Sequence, residues 1–191
     1  VESAYNDQIE CGEDIISRIN FAKKPKNLKD LQLRIVGTIN RLIDRIEQKK
    51  EVSTKEIYSA VISGNTTMIH LWLKLNPEFI RLSPYTPTLL EIPIQQANEI
   101  DLDINPLGIV HISPCIGSYV GGDITAGLLC TDLVTDSEEI NLFIDIGTNG
   151  EIAIGNRDFI ISCACSAGPA FEGGGIKHGT RGVSGAVDSV I

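Results

Sequence analysis

No apolar run in the sequence approaches the length of a membrane span, and Val1-Glu2-Ser3 has no signal-peptide character. There is no internal repeat and no low-complexity tract, so the chain reads as a soluble globular protein without a membrane role. Positive charge is in deficit: 16 Lys and Arg stand against 25 Asp and Glu, a net of −9. That balance argues against nucleic acid as a partner, which needs a basic field. The basic residues that exist crowd the first third, from Lys23 to Lys55, where they are expected on the solvated face of a helix. Cysteine is sparse and odd in number, five residues with no C-x-x-C pair. This argues against a disulfide framework and predicts a reduced, cytoplasmic protein. Cys163 and Cys165 would share one strand face, but His70, His111 and His178 are scattered, so buried structural thiols are expected rather than a metal site. Aromatic residues are few, whereas glycine numbers 18, which points to tight turns and close ligand approach.

What is present is a series of strands and helices joined at Gly/Asn/Thr/Asp corners. A short helix is predicted over Cys11 to Ala22, interrupted by Pro25. Asn27 then reads as the N-cap of a long helix to about Lys50, with Asp30 resembling the far side of a capping box. Leu28, Leu31, Ile35, Ile39, Leu42 and Ile46 make its apolar stripe. Ile57 to Ile62 reads as a buried strand that stops at Ser63-Gly64-Asn65-Thr66-Thr67 before a helix from Met68 to Leu75. Open α/β sheets bind ligands at such strand ends, although simple capping by Asn65 or Thr66 explains the same residues. Residues 76–107, rich in proline, predict loops and edge strands. Gly108 to Ile112 is a further strand, and a helix from Ile124 to Leu133 follows Gly121-Gly122-Asp123. Asp123 is either an N-cap or a site residue.

The densest signal is Asn141 to Ile154, two apolar runs around Gly147-Thr148-Asn149-Gly150. It predicts a hairpin whose first strand, apolar on both faces, is buried on both. Asp145 lies two residues before the turn. Such a turn offers backbone N–H groups and hydroxyls to an anion, and Asp145 a carboxylate to its metal. An ordinary tight hairpin with a capping aspartate accounts for these residues equally well. A last strand, Phe159 to Cys165, leads to Glu172-Gly173-Gly174-Gly175. The glycines there suit close approach of a ligand or an unconstrained loop. The order of elements implies α/β layers.

Taken in order, Pro114 to Leu128 with its Gly-Gly-Asp-Ile-Thr-Ala-Gly-Leu and the Asp-Ile-Gly-Thr-Asn-Gly-Glu of Asp145 to Glu151 resemble the actin/sugar kinase/heat-shock ATPase superfamily. The chain is more closely similar to the C-terminal ATPase region of the reductive activators of corrinoid proteins. The segments that carry this are Tyr5 to Ile19, Ser63 to Leu71, Pro114 to Leu128, Asp145 to Ile152 and Ser166 to Gly175. The resemblance implies an α/β, ribonuclease-H-like fold of two lobes, both incomplete. Residues 1–118 would be part of the first ATPase lobe, and 119–191 an interlobe helix with the start of the second.

Within that resemblance Asp123 corresponds to the catalytic acid of the cleft, orienting the water that attacks the γ-phosphate. Gly147, Thr148, Asn149 and Gly150 correspond to a phosphate loop, with Asp145 facing Mg²⁺ through water. Asn65 and Thr66 would line the opposite wall, and Glu172, Gly173 and Gly174 would border the nucleotide. The implied activity couples ATP hydrolysis to reduction of cob(II)amide to cob(I)amide in the corrinoid protein of a methyltransferase system. The cofactors implied are ATP and Mg²⁺, with a [2Fe–2S] cluster expected only in an N-terminal domain of the parent protein. A second copy of the chain, as a homodimer, is a further candidate partner. The first phosphate loop and the adenosine loop would lie outside Tyr5 to Ile191, so this piece alone is expected to be inactive. An actin-like scaffold that binds nucleotide without hydrolysis, or a small-molecule kinase, are the alternatives.

Overall fold

The computed structural model describes residues 1–50, 52–135, 138–147, 149–166, 168, 177, 178, 185 and 187. It divides into two compact units, Val1–Ala126 and Gly127–Ile191.

In the first unit a 3₁₀ turn at Asp7–Cys11 precedes helix α1, Ile15–Phe21, which Asp14 caps by accepting the Ser17 amide at 2.6 Å. The expected single helix from Cys11 is therefore two pieces. Helix α2, Pro25–Lys50, begins at the proline rather than after Asn27. Proline suits the first helical turn because its missing N–H would find no intrahelical partner there. The predicted capping box does not form. Asn27 Nδ2 donates to Phe21 O at 2.8 Å, and Asp30 accepts from Arg34 at 3.2 Å. The apolar stripe holds through Leu31, Ile35 and Ile39, while Ile46 is exposed where the helix runs beyond the core. Several cations of α2 are not simply solvated: Arg34 pairs with Glu10, Arg41 with Asp7, and Lys49 with Glu2.

Strands β1, Ser59–Ile62, and β3, Ile109–Ile112, run parallel, and the two-residue β2, Gln95–Gln96, lies antiparallel on the far side of β3. The centre of this sheet is β3, with Val110 fully buried and Ile112 nearly so. They pack with Ile69 and Trp72 of helix α3, Thr66–Trp72, with Val36 of α2, and with Ile100 and Leu102 of the proline-rich segment. That segment is otherwise loop and 3₁₀ turn, as its prolines predict. Strand β1 is an edge among the described residues, not a buried strand: Val61 is 69% exposed. Helix α4, Gly122–Leu128, is shorter than expected, and a separate 3₁₀ turn at Asp132–Val134 follows it.

The second unit is an antiparallel meander of β4, Asn141–Ile146, β5, Asn149–Asn156, and β6, Phe159–Ser166. The hairpin is the one expected, but β4 is not buried on both faces. Leu142, Ile144 and Ile146 are all exposed, because nothing among the described residues covers that side of the sheet. Phe143 points to the other side, where a Cβ on Gly127 would lie 2.7 Å from its ring. Nor are all the thiols buried: Cys115 is, Cys11 is partly so, and Cys130, Cys163 and Cys165 are exposed; none of the five is in a disulfide. No helix among the described residues is long and apolar enough to cross a membrane.

Candidate functional site

In the first unit the corner after β1 is locked onto the loop that leads to α4. Asn65 caps α3, its Oδ1 accepting the Thr67 amide at 2.9 Å, while its Nδ2 donates to Tyr119 O at 3.3 Å. Thr66 Oγ1 donates to Gly117 O at 2.7 Å, and the Gly122 amide donates to Gly64 O at 2.9 Å. Both polar side chains, buried, are thus spent on holding the loop. The loop lies flush against the corner. A Cβ on Gly121 would come within 2.6 Å of Asn65 Cα and Thr66 N, and within 2.7 Å of Asp123 Oδ1. Only glycine permits that approach. Asp123 is therefore presented by a rigid support in the first turn of α4, half-buried, its Oδ1 accepting the Ile124 amide at 3.0 Å.

His70, fully buried on α3, ties a second loop to the same helix. Its Nε2 accepts the amides of Thr88, at 3.1 Å, and Leu89, so Nδ1 carries the proton and donates to Thr66 O at 2.7 Å. Burial lowers the pKa of the imidazole, with the bond to Thr66 opposing the shift. Neither Gly121 nor His70 stood out in the sequence as a site residue. The Gly-Gly before Asp123 is the only local signal of the first, and the second has none.

In the second unit the hairpin register places Asp145 directly opposite Glu151. Like charges facing each other across a ladder destabilise it unless a cation intervenes. The Asp145 side chain has no hydrogen bond or ion pair among the described residues, and the buried Glu151, which has interactions of its own, adjoins it on the same face. Two carboxylates side by side fit a hard divalent cation that retains part of its water shell. No group of three or more His, Cys, Asp or Glu side chains that could hold a metal ion occurs among the described residues. The turn closes by a bond from the Gly147 amide to Asn149 O at 2.8 Å, and Gly150 pairs with Ile146 as the last rung. Gly147 does not take a positive φ, so its role there is not conformational. Thr148 lies outside the described residues, as do Glu172, Gly173 and Gly174. The structure thus gathers Asn65, Thr66 and Asp123 in one unit, and Asp145, Gly147, Asn149 and Gly150 in the other.

Comparison with known proteins bears on the same two regions. A family profile described as "RACo middle region" matches residues 1–136, and one described as "C-terminal domain of RACo the ASKHA domain" matches 139–191. The chain is 41% identical to "Corrinoid activation enzyme RamQ" of Eubacterium limosum, over 98% of its own length and 31% of the relative's. It is 39% identical to "[Co(II) methylated amine-specific corrinoid protein] reductase" of Methanosarcina barkeri, over 42% of this chain and 15% of that one. A solved structure, "Reductive activator for corrinoid,iron-sulfur protein", superposes with a TM-score of 0.87 at 52% identity, covering 96% of this chain and 29% of that one. The chain therefore spans less than a third of the length of these relatives.

Proposed function

The chain belongs to the family of reductive activators of corrinoid proteins, with an actin-like α/β fold, and from that premise we propose that it is the ATP-hydrolysing part of such an activator. In the intact protein, ATP hydrolysis would be coupled to reduction of cob(II)amide to cob(I)amide in the corrinoid protein of a methyltransferase system. The observation that carries this reading is the rigid mounting of Asp123 by Gly121, Asn65 and Thr66. Phosphoryl transfer depends on positioning and charge stabilisation more than on covalent chemistry, so an immobile acid is what the reaction requires.

The reading assigns each residue a role. Asp123 orients the water that attacks the γ-phosphate. Asn65 and Thr66 hold the loop that presents it, and so form the wall of the site from behind. The amides and side chains of Gly147, Thr148, Asn149 and Gly150 bind phosphate oxygens. Asp145, with Glu151 beside it, would hold Mg²⁺ through water, and the ion would supply charge neutralisation on the phosphates. Glu172, Gly173 and Gly174 border the nucleotide. Hydrolysis would be transmitted to the docked corrinoid protein through a conformational change in the activator. A homodimer and a cytoplasmic location complete the proposal. The test is Asp123→Ala in the intact protein: phosphate release should fall by about 10²-fold or more, as for other positioned general bases. The melting temperature should stay within a few degrees, roughly, of the unsubstituted protein. Phosphate release at the original rate would remove Asp123 from the mechanism.

A further inference from the structure

A cavity of about 330 Å³ opens in the first unit between α2, the end of α3 and the proline-rich segment. That volume lies at the lower end of the range of small-molecule sites. Trp72 and the residues after it line the cavity, so it sits at the opposite end of α3 from Asn65 and Thr66 and is separate from the site described above. The buried lining residues Gln32, Trp72, Ile92 and Ile100 mark its floor, and the exposed Leu89 and Pro93 mark its mouth.

Two polar groups on that floor are unspent. Trp72 is 2% exposed, and its indole Nε1–H has no acceptor among the described residues. A buried donor is costly to leave unmade, and a buried tryptophan usually finds a partner. Gln32, equally buried, donates from Nε2 to Asp101 Oδ2 at 3.4 Å. An ionised carboxylate only accepts, so that bond fixes which end of the amide is the nitrogen. The carbonyl oxygen of Gln32 is left without a donor among the described residues. One fixed donor and one fixed acceptor therefore line the same cavity. The polar residues nearer the mouth are already engaged: Gln95 Nε2 donates to Pro93 O at 2.7 Å, and Glu99 accepts the Gln96 amide at 3.3 Å. Lys74 and Glu99, both exposed, bring one charge of each sign to the opening, which favours neither an anion nor a cation.

We propose that this cavity binds a small, neutral, amide-bearing molecule with an apolar body. The ligand's carbonyl oxygen accepts from Trp72 Nε1, its N–H donates to Gln32 Oε1, and its apolar part packs among Leu75, Leu89, Ile92 and Ile100. An amide is the fitting group because it carries an acceptor and a donor without a charge. A carboxylate would satisfy the indole but set a second acceptor against Gln32. A hydrocarbon would leave both groups unpaired. The site does not depend on the ATP chemistry proposed above.

The experiment titrates the intact protein with benzamide, benzoate and toluene, which share a ring and differ in the polar group. Tryptophan is labelled at its nitrogens, and the Nε1–H resonance of Trp72 is identified by its absence in Trp72→Phe. Benzamide should move that resonance downfield in a saturable way. Calorimetry should show benzamide binding about tenfold tighter than toluene or benzoate, the scale of a hydrogen bond gained. Trp72→Phe and Gln32→Leu should each weaken benzamide binding by a similar factor while keeping a cooperative melting transition. Should Trp72→Phe not fold, the ranking of the probes and its loss in Gln32→Leu decide the question. Toluene binding as tightly as benzamide, benzoate binding more tightly, or an affinity for benzamide that the variants retain would overturn the proposal. So would the absence of saturable binding up to roughly 10 mM, where even a weak fragment is detected, since the cavity would then hold water only.

Discussion

Asp123 and Asp145 are mounted in opposite ways. Asp123 sits on a loop pinned by two buried polar side chains and pressed against backbone so closely that a single methyl group would not fit at Gly121. Asp145 is fixed by its rung in a hairpin, its side chain makes no hydrogen bond among the described residues, and it faces another carboxylate. The first is held by contacts around its loop and the second by strand register alone. A group that must aim a water molecule needs the former. A group that must receive a cation is better served by the latter, because repulsion between the acids is relieved when the cation arrives.

This contrast can be broken in order of expected effect. Gly121→Val in the intact protein should be the most damaging, since its side chain would displace Asn65, Thr66 and Asp123 together. A stability loss of about 1–3 kcal/mol, typical of overpacking, should come with loss of ATP turnover out of proportion to it. Denaturant midpoints and phosphate release measured on one preparation check this, and a variant with normal turnover would show that the loop does not set the position of Asp123.

The same corner should also be sensitive to acid through His70. Its folded-state pKa lies below the ordinary value, so the unfolded chain binds the proton first. The stability present above about pH 6.5 is therefore lost as the pH falls from there toward the folded-state value, with a slope of at most about 1.4 kcal/mol per pH unit. Denaturation midpoints of the unsubstituted protein and of His70→Gln across pH 5–7 (about the titration range of an ordinary histidine) should differ in slope, and parallel curves would place the sensitivity elsewhere. The smallest effect belongs to Asp145→Asn, which removes the repulsion with Glu151. It should stabilise the hairpin unit by about 0.2–1 kcal/mol without Mg²⁺ while raising the Mg²⁺ concentration needed for ATP turnover. Destabilisation by this change would show that Asp145 is already neutralised in the fold.

Much of the fold was legible because it is local. Pro25, the stripe Leu28–Leu31–Ile35–Ile39 and the apolar runs around Gly147 to Gly150 specify their elements through backbone sterics and periodicity. Boundaries were less so. Asn27 looked like a cap, but a proline two residues earlier started the helix and left its amide free to bridge to Phe21. The misread burial of β1 and β4 has one cause: an apolar sequence states what a strand could bury, whereas exposure depends on which elements lie over it. Val61 and Ile144 read as core residues and are exposed among the described residues.

The sequence by itself determined the order of elements, the acidic balance and the identity of the candidate acids, because composition, spacing and turn chemistry act over a few residues. Only the tertiary structure decided that Asn65 and Thr66 hold a loop more than fifty residues away, that His70 is a buried staple, and that Glu151 stands beside Asp145. Those facts arise from contacts between distant segments and from strand register, neither of which is written in local pattern.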